Sequence, residues 1–116
     1  MAYFVFVSYI MKWICLMLAG IFEITWAVAM KMSNGFTVLL PSIITGFGYV
    51  ASAVFLAVAL KQLPLGTTYA IWTGMGIVGT TLLGVLLFHE KLSFPHLICV
   101  IFIVAGTAGL KIISKG

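Results

Sequence analysis

The chain has 116 residues, of which 64% are hydrophobic and only 7% are charged, and its mean hydropathy is +1.30. This composition excludes a soluble globular domain and predicts an all-α integral membrane protein. The net charge of +4 is spread over the ends of the apolar segments. It favours contact with lipid headgroups and not with nucleic acid.

Residues 1–12 are predicted to be an N-terminal extension. The stretch from Met1 to Met11 is apolar but too short to span a bilayer, and its positive charge, Lys12, follows it. A secretory signal has the reverse order. Two interpretations stay open, a dispensable extension ahead of a natural start at Met11, or an interfacial lead-in to the first helix.

Four apolar runs of membrane length follow. At 1.5 Å per residue, about 20 helical residues cross roughly 30 Å of hydrocarbon. The sequence therefore predicts a single transmembrane domain of four helices, at residues 13–30, 36–60, 67–88 and 93–113. The loops are a few residues long, so the protein must act within the bilayer or at its surface.

Glu23 is the only acidic residue inside these runs. A carboxylate at mid-membrane costs about 2.5 to 3.5 kcal/mol on insertion scales, which makes Glu23 the first candidate for function. Helical spacing places Gly20 and Trp26 beside it. The Trp26 indole N–H is expected to hold the carboxylate, and Gly20 to permit close helix approach. The alternatives are that Gly20 serves packing alone and that Trp26 faces lipid.

The second helix contributes Ser52, which shares a face with Thr45, Gly48 and Phe55. A hydroxyl near the middle of the bilayer needs a hydrogen-bond partner. Glu23 is the expected partner.

The third helix carries Tyr69 and Trp72 on one face. An aromatic pair beside a carboxylate suits a cation, whereas the alternative is an aromatic belt at the membrane interface. Gly74 and Gly76, with Gly79, form either a close-packing groove or a flexible point where the helix bends between states. Sequence leaves both open.

The other polar residues indicate little chemistry. Cys15 and Cys99 lie in predicted spans without a CxxC spacing and are expected to be reduced packing residues, and His89 and His96 are expected at the interface. We predict no metal site and no cofactor. No nucleotide-binding loop or nucleophile constellation occurs, so the protein is not predicted to be an enzyme and any transport must be driven by a gradient.

The lysines give little preference for one orientation. Lys12, Lys61, Lys111 and Lys115 fall on one predicted side and Lys31 and Lys91 on the other, which is a weak positive-inside signal. Transporters commonly combine two halves of inverted topology. We therefore expect an antiparallel, dual-topology homodimer that brings two Glu23 carboxylates together. A heterodimer with a paralogous chain is the open alternative.

Three segments resemble the small multidrug resistance transporters, namely GIFEITWA at 20–27, KMSNGFT at 31–37 and LPLGTTYAIWTG at 63–74. The resemblance runs from about Met11 to the end of the chain. Trp26 and the Trp72-Thr73-Gly74 sequence look more like the guanidinium exporters than like the exporters of polyaromatic cations. The extension before Met11 and Thr68 are departures from the family pattern.

The resemblance implies a proton-coupled antiporter in a bacterial inner membrane that exports guanidinium and small guanidinyl cations. Protons and substrate would compete for Glu23 of both subunits, with Trp26, Ser52, Tyr69 and Trp72 around the substrate and the fourth helix holding the dimer together. Three alternatives remain. The chain exports quaternary ammonium or polyaromatic cations, it forms a small oligomeric cation pore, or Glu23 is an assembly device between copies.

Overall fold

A computed structural model describes residues 2–113 as four helices, α1 Ala2–Met32, α2 Leu39–Leu60, α3 Leu65–Phe88 and α4 Phe94–Ile113. By length and composition, each of the four is able to cross a membrane. The prediction of an all-α chain with four membrane-length helices is confirmed.

The first helix is much longer than the span expected at residues 13–30. It has 31 residues, or roughly 46 Å of length, because residues 2–12 are mostly apolar and contain no glycine or proline to end it. Aromatic side chains of this part are exposed, with Tyr3 and Phe4 at 81% and 75%. The Ser8 hydroxyl donates to Gln62 Oε1 over 3.1 Å, which ties the helix to the loop after α2. Met1 lies outside the described residues.

The helices divide into a packed group and an outlier. α1 packs against both α2 and α3, while the backbone of α4 comes close to that of α3 alone. One side chain of α4 reaches α1, because Lys111 Nζ lies 4.8 Å from the centroid of the Trp13 ring. A small apolar core of Cys15, Leu16, Ala59 and Leu63 lies between α1 and the end of α2. Most other apolar side chains are exposed, as is expected of a chain that meets lipid or another copy of itself.

Two tight turns bring the end of α1 next to the loop between α3 and α4. Asn34, Gly35 and Phe36 adopt left-handed backbone conformations after α1, and His89 does so at the end of α3. The Lys31 ammonium then forms an ion pair with Glu90, with 2.6 Å between Nζ and Oε2. The last turn of α1 is thereby tied to the segment that leads into α4.

Candidate functional site

Glu23 lies on the face of α1 that packs against α3, and its carboxylate rests on Gly76. A β-carbon added at Gly76 would lie 2.6 Å from Glu23 Cδ, so only glycine leaves room for the carboxylate at this position. The contact continues along the same interface. Gly20 of α1 lies under Met75, and Gly79 of α3 lies under Ile24.

These contacts give the glycines of the third helix a packing role in this conformation. α3 is one continuous helix from Leu65 to Phe88, and Gly76 and Gly79 accept side chains of α1. They form a close-packing groove here. Gly74 faces the other way, because a β-carbon there would lie 2.9 Å from Thr107 Oγ1 on α4.

The carboxylate of Glu23 is incompletely paired. Its Oε1 atom is buried and has no hydrogen-bond partner among the described residues. A buried acceptor without a donor costs free energy, and in native proteins it calls for an explanation such as a ligand or a partner chain. A carboxylate oxygen in this setting can accept hydrogen bonds from a cation that enters the site, or bind a proton.

Ser52 does not hydrogen-bond to Glu23, so that prediction is wrong. Its hydroxyl donates to the Ala19 carbonyl over 2.7 Å and accepts the Trp72 indole N–H over 3.1 Å. The physical reason is the fully buried Ala19, whose small side chain lets α2 approach the backbone of α1. In a regular helix this carbonyl also accepts the backbone N–H of Glu23. Ser52 and Trp72 therefore connect α2 and α3 to the turn that carries the glutamate.

Trp26 also differs from expectation. Its Nε1 is buried without a hydrogen-bond partner among residues 2–113, so the predicted bond to the carboxylate is wrong. The indole packs on α2, where its ring meets Tyr49 edge to face with centroids 5.3 Å apart and its β-carbon lies over Gly48. Residues three apart on a helix differ by about 60° in direction, which is enough to aim Glu23 at α3 and Trp26 at α2.

The aromatic pair of α3 is present. The Tyr69 and Trp72 rings lie 5.4 Å apart at 62°. Trp72 points inward to Ser52, while Tyr69 is half exposed and belongs to the preceding turn. The chain thus places Gly76 against Glu23 and links Ser52 and Trp72 to the preceding turn of α1, where Gly20 lies. Trp26 lies on the flank toward α2, Tyr69 a turn away, and Gly74 on the side of α4.

Two contributors near the glutamate were not predicted. The Ala19 carbonyl is a backbone group and has no signature in the sequence, and the Met75 side chain that covers Gly20 resembled ordinary apolar filler. The face of α2 was predicted correctly, since Thr45, Gly48 and Ser52 are buried together.

Three cavities are described along the chain, and Glu23 lines none of these three. No group of three His, Cys, Asp or Glu side chains in the described range could hold a metal ion. Cys15 and Cys99 are both free thiols. The chemistry available near Glu23 is therefore that of one carboxylate, hydroxyls and aromatic rings.

Comparison with known proteins agrees with this arrangement. The family model for the Small Multidrug Resistance protein matches residues 11–103. A protein named Guanidinium exporter from Yersinia pseudotuberculosis is 48% identical over 104 residues, which cover 90% of this chain and 100% of the relative. The Guanidinium exporter of Proteus vulgaris has the same identity and coverage. That of Salmonella typhimurium strain LT2 is 49% identical over 102 residues, or 88% of this chain and 97% of the relative.

The matched region begins at residue 11, where the resemblance in the sequence also begins. It includes the glutamate, the glycines of α3 beneath it and the hydrogen-bonded Ser52 and Trp72. This chain belongs to the small multidrug resistance family of multi-pass membrane proteins.

Proposed function

We propose that this protein is a transporter that exports guanidinium and small guanidinyl cations in exchange for protons. The observation that carries the proposal is the buried Oε1 of Glu23, an acceptor without a donor. Guanidinium is planar, permanently charged and rich in N–H donors that match a carboxylate. A quaternary ammonium has no donor and would leave the same oxygen unpaired. The relatives named Guanidinium exporter support the same substrate.

Proton coupling follows if the proton and the cation compete for one carboxylate. Release of either is then required before the other binds, which converts a proton gradient into export. Guanidinium affinity should consequently fall as the pH is lowered, because protonation removes the negative charge and one acceptor position. Affinity that is independent of pH would contradict the competition.

The complete site is proposed to need an antiparallel, dual-topology homodimer in a bacterial inner membrane. Two features support a second copy. The described residues of α4 include none that is buried, and none of the three described cavities gives Glu23 an enclosed space for a cation. Lys115, which entered the predicted charge bias, lies outside the described residues. A second copy would add a second Glu23, so that the pair holds either two protons or one substrate cation.

Topology can be tested with a single reactive thiol at the end of α4. In a Cys15→Ala, Cys99→Ala background, Lys111→Cys should be labelled by membrane-impermeant maleimide from both sides of the membrane, each side reaching about half of the protein. Labelling from one side alone would contradict the dual topology.

The aromatic residues are proposed to line the cation path. Trp26, Tyr69 and Trp72 present ring faces that attract a delocalised cation, and the second copy would bring its own set. Trp26→Ala should lower guanidinium affinity because it removes a ring face and loosens the Tyr49 contact. Unchanged affinity would assign Trp26 to packing against α2 alone.

The transport proposal is tested in liposomes that contain only this protein. A pH gradient should drive guanidinium uptake, with little uptake of tetramethylammonium or of a bulky aromatic cation. Uptake of bulky cations alone would place the chain with the multidrug exporters. Cation current without proton movement would indicate a pore.

Glu23→Gln provides the matched test of the carboxylate. This variant keeps the size of the side chain and should abolish coupled exchange, while the assembled protein keeps its helical content. Glu90→Gln is the control, because Glu90 is the other acidic residue of the sequence and lies in an exposed ion pair. Proton-coupled uptake that persists in Glu23→Gln would contradict the mechanism.

A further inference from the structure

The end of α1 and the loop after α3 enclose a pocket that the transport mechanism does not use. Its volume is about 260 Å³, and its lining includes Lys31, Glu90, Lys91 and His96. Lys31 is eight residues beyond Glu23 on α1, or about 12 Å along the helix axis. The pocket is therefore separate from the carboxylate and lies where the helices leave the hydrocarbon.

The pocket continues into an apolar cleft between α3 and α4. This cleft has a volume of about 520 Å³ and shares Thr80, Thr81 and His96 with the pocket. Its far end lies at Ile77 of α3 and Ile103 of α4. Ile77 is about 16 Å from the end of α3 at Phe88, and Ile103 is about 14 Å from the start of α4 at Phe94, measured along each helix axis. A charged mouth at the membrane surface thus opens into a long apolar space within the bilayer.

The charge of the mouth is unbalanced. The one ion pair among residues 2–113 joins Lys31 to Glu90, so Lys91 has no carboxylate partner and Lys31 keeps two of its three N–H donors. His96 adds a ring nitrogen to the same lining. The pocket has the composition of a site for an anion.

The acidic side chains of a second copy do not supply this anion. The sequence has two acidic residues, and of these Glu23 lies on Gly76 within the packed helices while Glu90 is already paired. A phospholipid with a net negative headgroup supplies both the missing charge and an acyl chain for the cleft.

We infer that the pocket and cleft form a binding site for one anionic phospholipid per chain, with its phosphate at Lys91, Lys31 and His96 and an acyl chain between α3 and α4. This site goes beyond the transport function and is independent of it. The lipid would fill the cleft between α3 and α4.

The first test measures lipid binding directly. Delipidated protein is mixed with equal amounts of phosphatidylglycerol and phosphatidylcholine, and native mass spectrometry counts the lipids retained. The intact protein should retain phosphatidylglycerol in preference. Lys91→Gln should weaken that binding about fivefold, the effect of the roughly 1 kcal/mol that one lysine contributes near an anionic surface.

Lys61→Gln is the matched control, because Lys61 is an exposed lysine in the loop after α2 and does not line the pocket. It should leave retention unchanged. An equal loss of phosphatidylglycerol retention in Lys61→Gln and Lys91→Gln would mean that net charge alone causes the binding, and this would overturn the site. Equal retention of phosphatidylglycerol and phosphatidylcholine by the intact protein would also overturn it. Helical content and guanidinium exchange report separately whether each variant is folded.

The second test locates the acyl chain. Phosphatidylglycerol with a photoreactive group on its acyl chain should cross-link to residues 95–103, which include the exposed Cys99 of the cleft. The phosphatidylcholine analogue should cross-link there much less. A disulfide between the Cys99 residues of two copies in most of the protein would show that a second chain fills the cleft, and this would overturn the lipid site.

Discussion

α1 and α4 are almost equally apolar, with hydropathies of 2.0 and 2.2 over their best windows, but they pack very differently. α1 packs closely on two helices and contains five buried residues, whereas the backbone of α4 packs closely on α3 alone and α4 has no buried residue among its described residues. The interface of α1 with α3 pairs each glycine with a large side chain, and α4 has glycines that meet nothing. Apolarity places a helix in the bilayer, but complementary shapes decide which helices touch.

The glycines provide the strongest way to test this difference. Gly76→Ala would force a β-carbon against the Glu23 carboxylate, and overpacking of this kind costs about 1 to 3 kcal/mol. We expect a lower unfolding temperature in detergent and a loss of guanidinium exchange. Both can be measured on the same preparation.

Two alanine variants serve as controls. A β-carbon at Gly46 of α2 or at Gly106 of α4 would meet nothing within 4 Å. Gly46→Ala should therefore change neither stability nor transport. Gly106→Ala should leave the single chain intact but lower the dimer fraction if a second copy covers α4. Equal damage from Gly76→Ala and Gly46→Ala would contradict the role of the groove.

The hydrogen bonds of Ser52 give the next largest effect. Ser52→Ala removes the link from the Ala19 carbonyl to the Trp72 indole and leaves a buried N–H without its acceptor. Measured side-chain hydrogen bonds in membrane proteins average about 0.6 and reach about 1.7 kcal/mol, and we expect a loss in that range. Thermal unfolding reports this loss, and the fluorescence of Trp72 reports it in a background where Trp13 and Trp26 are replaced by phenylalanine.

Ser42→Ala is the control for this loss. The Ser42 hydroxyl donates to Val38 O in its own turn and does not join two helices. In the same background, Ser42→Ala should have no effect on the fluorescence of Trp72. If Ser52→Ala also leaves the fluorescence and the unfolding temperature unchanged, the hydrogen bonds from Ser52 to Ala19 and from Trp72 to Ser52 do not position the turn that carries Glu23.

The same contrast explains what could be predicted from sequence. The four helices can be predicted because the length and apolarity of each run depend only on its own residues. The buried face that carries Ser52 can be predicted because helical periodicity fixes which residues share it. The contacts that Ser52 and Trp26 make cannot be predicted in this way, because they depend on how α2 and α3 are rotated about α1. A backbone carbonyl such as that of Ala19 competes for a hydroxyl without leaving any mark in the sequence.

The length of α1 shows a related limit. Residues 2–12 were assigned to an extension because a span needs only about 20 residues, yet no residue there breaks the helix, and it begins at Ala2. Membrane thickness sets the shortest helix that crosses, and local propensity sets where the helix ends. The role of these residues in the native protein stays a prediction, which the intact mass of the protein made from its own gene would test.

The smallest expected effect concerns the ion pair that joins the end of α1 to the loop before α4. The Lys31–Glu90 pair is short at 2.6 Å, but its side chains are 54% and 48% exposed, and pairs of that kind contribute about 0.2 to 1 kcal/mol. Glu90→Gln should lower the unfolding temperature slightly in dilute buffer. At about 1 M salt, where charges are screened within roughly 3 Å, the difference from the unaltered protein should shrink. A loss of several kcal/mol at both ionic strengths would instead mean that this ion pair, and not the packing of α3 alone, holds α4 to the rest of the chain.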